Sequence, residues 1–193
     1  YTNGAGTFAN DAAGDGSAKS GHIKITTAGT NVQLQQPGLA LEANTLYRLS
    51  FRAYSNTGHD LSVFLQKHTS PYTNYGLSGR VFNLTNVWQL FTVEFTTTGF
   101  TGTASDGRLM YWLAPYDAGG DHYYFDDVVL EKVVVVVPPA VTTQPVSQTV
   151  LEGQTAAFTV AAAGTAPLNY QWQKNGVDIA GATGLSYTTP ATA

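Results

Sequence analysis

Gln33, Gln35, Arg52, Tyr54, Gln66, His68 and Trp112 occupy outward positions of segments in which apolar residues recur at every second place. Tyr72 and Tyr75 belong to a Pro-Tyr-Thr-Asn-Tyr-Gly loop, and Tyr116 to a later one. These residue types suit non-covalent recognition of something flat, polar and uncharged, such as a sugar chain. Aromatic rings stack on apolar C–H faces, and the planar Arg and Gln groups offer paired donors and acceptors to hydroxyls. The competing reading is a solvated sheet face with tyrosines packed at its rim. Alternation does not say which strands share a sheet, so some of these residues can lie on an opposite, non-binding face.

Covalent chemistry has little to work with. Hydrolysis of a glycosidic bond takes two carboxyl groups facing each other about 5 to 10 Å apart. Glu42, Glu94, Glu131 and Glu152 are the only glutamates. Glu42 lies in a turn-like segment, Glu152 in a later domain, and Glu94 shares its strand face with Thr92, without an evident acidic partner. His22, His59, His68 and His122 show no metal-ligand spacing, and no Gly-x-Ser-x-Gly turn or phosphate loop is present. Cysteine is absent, which excludes thiol catalysis, disulfides and zinc–cysteine sites. The expectation is a protein that is not an enzyme.

The elements that position these residues are strands. Charged residues make up 11% of the 193 residues, less than half the usual share of about a quarter. That leaves too few charges for the outer faces of amphipathic helices. Tyr47, Leu49, Phe51 and Ala53 alternate with Arg48, Ser50, Arg52 and Tyr54. Leu61, Val63 and Leu65 oppose Ser62, Phe64, Gln66 and His68. Phe91, Val93 and Phe95 oppose Leu90, Thr92 and Glu94, and Leu109, Tyr111 and Leu113 oppose Met110 and Trp112. Several such half-buried strands separated by turns predict an all-β sandwich or jelly roll.

The chain divides near a run of five valines, Val133 to Val137, that leads into Pro138-Pro139. The prolines end the strand and stiffen the connection. The organisation expected is a sandwich over residues 1–133, a Val/Pro linker over 134–140, and a second domain over 141–193. The valines, left uncovered, would be aggregation-prone, so they are expected to be packed or paired. Short strands are expected near Gln154 to Ala161, Leu168 to Lys174 and Gly184 to Thr189, with a hairpin at Asn175-Gly176.

Charge and hydropathy narrow the partners. The net charge is −4 and the nine Lys and Arg are dispersed, so nucleic acid is not expected. No run of 18 apolar residues is present, so membrane insertion is not expected either.

Two resemblances add to this reading. Gln-Leu-Gln-Gln-Pro-Gly (33–38), Leu-Tyr-Arg-Leu-Ser-Phe-Arg-Ala (46–53), Trp-Gln-Leu-Phe (88–91) and Tyr-Phe-Asp-Asp-Val-Val-Leu-Glu (124–131) resemble carbohydrate-binding modules of the family 4/9/22 jelly-roll type. Members usually begin with a strand containing Asn, Gly-Phe-Glu and Trp, which this sequence lacks. Gln-Pro-x-Ser-Gln-Thr-Val-x-Glu-Gly-Gln-Thr-Ala (144–156) and Tyr-Gln-Trp-Gln-Lys-Asn-Gly (170–176) resemble a bacterial immunoglobulin-like domain, with Trp172 in the place of its buried tryptophan and the later strands missing.

The first resemblance implies non-catalytic binding of a polysaccharide, a β-glucan or xylan type chain, by an extracellular or cell-surface targeting module of a larger glycan-degrading or adhesive protein. The ligand set expected from the outward positions and loop tyrosines is Gln33, Arg52, Tyr54, Gln66, His68, Tyr72, Tyr75, Trp112 and Tyr116. The resemblance also implies a structural calcium ion held by Asp127 of the Asp126-Asp127 pair, with Asp11, Asp15 or carbonyls of residues 10–17 as companions. The alternative is a structural spacer or filament subunit whose open sheet edges pair with a neighbouring chain or with domains of the parent protein.

Overall fold

The computed structural model describes residues 4–192, the side chains of Asp11 and Ala12 excepted. The chain forms two compact units, divided between Val134 and Val135.

The first unit is a sandwich of two antiparallel sheets, and all-β is the fold. One sheet has five strands in the order β1 (Ala5–Ala12), β2 (Ser20–Thr27), β9 (His122–Lys132), β4 (Leu46–Ser55) and β7 (Gln89–Thr96). The other has four, in the order β3 (Gln33–Glu42), β8 (Thr103–Trp112), β5 (Leu61–Lys67) and β6 (Asn74–Phe82). Neighbours in the sheets are mostly distant in sequence, so long-range pairing, not local turns, decides which side chains share a face.

The period of two sets the packing. Tyr47, Leu49, Phe51 and Ala53 of β4 and Leu61, Val63 and Leu65 of β5 are buried between the sheets. Leu109 and Tyr111 of β8 join them from the strand beside β5. The Phe51 ring meets Phe82 and Tyr111 edge-on, each with centroids 5.1 Å apart, an arrangement favoured by the ring quadrupoles. Burial pushes the Tyr111 phenol far above its ordinary pKa, because a phenolate would be charged in an apolar surround. These side chains leave the even-numbered positions of β5 and β8 for the outer face.

The second unit holds three two-stranded pairings: β10 (Ala140–Thr143) with β12 (Ala161–Ala163), β11 (Ala157–Thr159) with β15 (Ser186–Thr188), and β13 (Gln173–Lys174) with β14 (Val177–Asp178). The β13–β14 hairpin turns at Asn175 and Gly176, both at positive φ (53° and 79°), as a two-residue turn requires. The Trp172 indole donates to the Gly184 carbonyl at 2.9 Å and lies between Phe158 and Tyr187.

The valine run corrects an expectation. Val134 to Val137 are 54–72% exposed, neither packed nor paired in a sheet. Strand β9 ends at Lys132, after which Val133 donates once to the Leu46 carbonyl; further on, the Val137 N–H and carbonyl and the Val135 carbonyl bond to Thr165.

Candidate functional site

The outer face of the four-stranded sheet carries cross-strand rows of polar and aromatic side chains. Gln33 of β3, Trp112 of β8 and Ser62 of β5 form one row; Gln35, Met110 and Phe64 form the next; Arg108 and Gln66 form a third. The rows follow from register, because an antiparallel partner sits directly opposite and its side chain points to the same face. Phe64 leans against Trp112 with ring centroids 5.8 Å apart.

Two hollows flank Trp112. One, of about 610 Å³, is lined by Asn31, Gln33, Gln35, Gln66, His68, Tyr72, Arg108, Met110 and Trp112. The other, of about 640 Å³, passes over Phe64, Trp112 and Ser62 towards Gly29, Pro115 and Asp117. Trp112 lines both, so the two hollows adjoin at its indole along the groove face of the sheet.

Polar groups in the first hollow are left unpaired. Among the described residues, four buried side-chain polar atoms have no hydrogen-bond partner: Gln33 Oε1, His68 Nδ1, Arg108 Nε and Tyr111 Oη. The tyrosine faces the core, and the other three belong to residues that line the hollow, the atoms themselves lying just beneath its surface. An unmade bond at a buried polar atom costs about 1–3 kcal/mol, so three at one place suit a ligand that completes them. Their other atoms are fixed. Gln33 Nε2 donates to Asn31 Oδ1 at 2.7 Å, and Arg108 Nη1 donates to Gln35 Oε1 at 3.1 Å. The Arg108 guanidinium also lies 5.3 Å from the ring centre of the exposed Tyr72.

Of the expected ligand residues, Gln33, Gln66, His68, Tyr72 and Trp112 come together here, with Gln35. Arg52 and Tyr54 do not. They stand on β4 of the five-stranded sheet, where Arg52 pairs with Asp15 and lies 3.6 Å from Asp127. Tyr54 stacks on Tyr124, and Trp88 meets it edge-on. Burial and the neighbouring Tyr124 hydroxyl push the Tyr54 phenol above its ordinary pKa. Tyr75 is buried in the core, 4% exposed, because β6 begins at Asn74 and turns it inward, and its hydroxyl donates to Asp106 Oδ1 at 2.9 Å. Tyr116 is half-buried in the turn after Leu113, outside the lining of both hollows. Arg108, Met110, Phe64 and Asn31 were not in the expected set. Arg108 continues the even-numbered positions of Met110 and Trp112, which was signal enough to find it.

The expected calcium residues are differently engaged. Asp127 sits at φ 47° in a bulge of β9, its carboxylate towards Arg52. Asp126 Oδ2 accepts from the Asp15 N–H at 2.9 Å and from the Ser17 hydroxyl at 2.7 Å. Gly14 lies so close that a Cβ there would overlap both Ser17 Oγ and Asp126 Oδ2. Space and lone pairs around Asp126 are thus taken up by the 14–17 loop, and the Arg52 charge stands between Asp15 and Asp127. Among the described residues no group of three His, Cys, Asp or Glu is placed to hold a metal ion, and the Asp11 side chain lies outside the described residues. The residues present do not fit a calcium cage.

The glutamates bear on other contacts. Glu94 and Glu131 flank Arg48, at 2.7 and 3.4 Å, and Glu42 pairs with Lys132 at 2.6 Å, all away from the groove lining.

Comparison with known proteins gives the family and the fold. Residues 2–118 match the family model of the carbohydrate binding domain of families 4 and 9. A solved structure described as "CBM4 structure and function" is similar over 68% of this chain and 92% of its own, at 23% identity and a TM-score of 0.52. The N-terminal cellulose-binding domain of Cellulomonas fimi β-1,4-glucanase C is similar over 60% of this chain and 80% of its own, at 24% identity and a TM-score of 0.49. An arabinose-bound GH51 α-L-arabinofuranosidase is similar over 68% of this chain and 22% of its own, at 16% identity and a TM-score of 0.51. At these identities the structures bear on the fold alone, and no curated protein sequence matches. The family match spans more than half of the sequence and ends beyond the last groove strand, and by it the chain belongs to the carbohydrate binding domain family 4/9.

Proposed function

We propose that the chain binds a β-linked glucan or xylan type polysaccharide along the groove across β3, β8 and β5, without covalent chemistry. Polysaccharide binding follows from its family. The placement in this groove rests on one observation: three residues that line a hollow beside the Trp112 indole each carry a buried polar atom without a partner. Trp112 and Phe64 offer apolar faces to pyranose C–H groups. Gln33, Gln35 and Gln66 offer amides to hydroxyls. The groove is open at both hollows, which suits the interior of a chain more than a sealed end.

In this reading the chain is a targeting module of a larger extracellular protein that degrades or adheres to glycans. A shallow site of this kind gives modest affinity alone and gains from repetition or attachment in the parent protein.

Affinity electrophoresis of the folded protein against soluble β-glucans, xylans, mannans and pectins tests this. Retardation by a glucan or xylan, abolished by Trp112→Ala, is expected. A folded protein retarded by none would shift the weight to the structural reading, a spacer or filament subunit. Retardation that survives Trp112→Ala would place the site elsewhere.

A further inference from the structure

We infer that the groove is built for a polysaccharide carrying carboxylate groups, a uronate-bearing chain, with Arg108 receiving the carboxylate. The inference rests on the binding site proposed above and names the chemistry of its ligand more closely.

Charge balance around the arginines motivates it. Arg48 has two carboxylate neighbours, Glu94 and Glu131, and Arg52 has two, Asp15 and Asp127. Arg80 and Arg108 have no carboxylate partner among the described residues, but Arg80 is exposed on β6 whereas Arg108 is half-buried in the hollow. The lining of its hollow contains Arg108 and His68 and no Asp or Glu, in a chain whose net charge is −4. Local positive charge here is therefore not a by-product of a basic surface.

Nearby carboxylates are occupied or distant. Asp106, two residues along β8, is outside the lining and accepts the Tyr75 hydroxyl. Asp117 belongs to the other hollow, beyond Trp112; it is 9% exposed and its Oδ2 accepts the Gly29 N–H at 3.1 Å.

Geometry supplies the rest. Gln35 holds Arg108 at Nη1 and the Tyr72 ring lies against the guanidinium, so the side chain is oriented in advance of binding. The donor left without an acceptor is Nε–H, on the edge of the guanidinium that meets a carboxylate through two parallel bonds. His68 Nδ1, unpartnered in the same hollow, is a donor in its Nδ1–H tautomer or its cationic form. Gln33 Oε1 remains for a sugar hydroxyl. A neutral sugar satisfies the amide; it leaves the guanidinium charge without a counter-charge.

The test uses matched polymers that differ only in the acid group: glucuronoxylan against the same polymer after carboxyl reduction, and polygalacturonate against its methyl ester. Titration calorimetry with the full chain reads both. The wild type is expected to bind one acidic polymer at least about tenfold tighter than its neutral counterpart in low salt, since charge-assisted bidentate bonds are about twice as strong as neutral ones. The ratio should shrink towards one at about 0.5 M salt, where screening is strong at an open groove. Arg108→Gln should bring the ratio to about one, and Arg108→Lys should retain part of it. Should Arg108→Gln fail to fold, the salt dependence of the wild-type ratio decides. Equal affinity for acidic and neutral forms overturns this inference and leaves polysaccharide binding standing. Absence of binding to all four polymers also overturns this inference, and the groove itself then stands or falls on the retardation by β-glucan described above.

Discussion

Tyr54 and Tyr124 stack face to face, with ring centroids 4.3 Å apart and planes 5° from parallel. The His22 ring continues the stack on the far side of Tyr124 at 4.4 Å. The three residues are direct cross-strand neighbours on β4, β9 and β2. Their ring faces are spent on one another, so a sugar would find edges and not platforms. This strip staples the five-stranded sheet, and the groove proposed to bind polysaccharide is on the other sheet. Tyr54→Ala is expected to cost about 1–2 kcal/mol in urea unfolding, the loss of a stacked pair and some buried area, and to leave polysaccharide retardation unchanged. A loss of binding from a protein that remains folded would move the site to this face.

Tyr75 offers a second separation of stability from binding. Its ring packs against Phe100, with centroids 4.6 Å apart, and its hydroxyl holds Asp106. Burial first, and then Asp106, raise the phenol above its ordinary pKa. Tyr75→Phe keeps the ring and removes the bond, so thermal unfolding should register a loss of about 1 kcal/mol while glycan binding is kept. A full loss of binding would show that the hydroxyl reaches the ligand.

Acid should weaken the fold through Asp121, which is 1% exposed. Burial alone would raise this carboxyl. The His59 ring at 2.8 Å, the Ala118 N–H at 2.6 Å and the Thr57 hydroxyl at 2.8 Å outweigh it and hold the pKa below the ordinary aspartate value. A carboxyl depressed in the folded state contributes stability above its unfolded pKa, about 3.9, and loses it as pH falls through the folded value. Asp121→Asn should therefore be less stable than the wild type at neutral pH, with the gap closing below about pH 4. Thermal midpoints from neutral to strongly acidic pH measure this. A gap that stays constant to the acid limit would mean that Asp121 matters by shape and not by charge.

The fold was legible because facing obeys a period of two: burial alternates along all of β4, and on β5 and β8 the inward set reads correctly although the outward Ser62 and Met110 are also buried. The site was legible only in part, because alternation gives the face within a strand and not the sheet to which the strand belongs. Gln33 and Arg52 have the same sequence signature. They separate because β3 pairs with β8 whereas β4 pairs with β7 and β9, contacts made over tens of residues. Arg108 was visible as the next even position before Met110. Asp127 was obscured by the bulge between the Ser50–Val129 and Arg52–Asp126 pairs, which shifts the outward face of β9 by one residue and places Asp126 where Asp127 was expected to act.

Chelation is the remaining prediction, and Arg52 decides it. Its guanidinium pairs with Asp15 and lies 3.6 Å from Asp127, while Asp126 is bound to the Asp15 N–H and the Ser17 hydroxyl. A divalent ion using Asp15 and Asp127 together would have to displace that cation, and one centred on Asp126 would have to displace the 14–17 loop. The thermal midpoint is therefore expected to stay within about a degree on adding either a chelator or millimolar calcium, since an ion that binds only the folded state stabilises it by RT ln(1 + c/Kd), c being its free concentration, which is negligible when c is far below Kd. Arg52→Ala is the stronger variant of the same experiment. It leaves three carboxylates near one another without their counter-charge, so it should destabilise the wild-type arrangement and create a response to calcium that the parent lacks. A rise of several degrees with calcium in the wild type would show that the ion, and not Arg52, balances these carboxylates in solution.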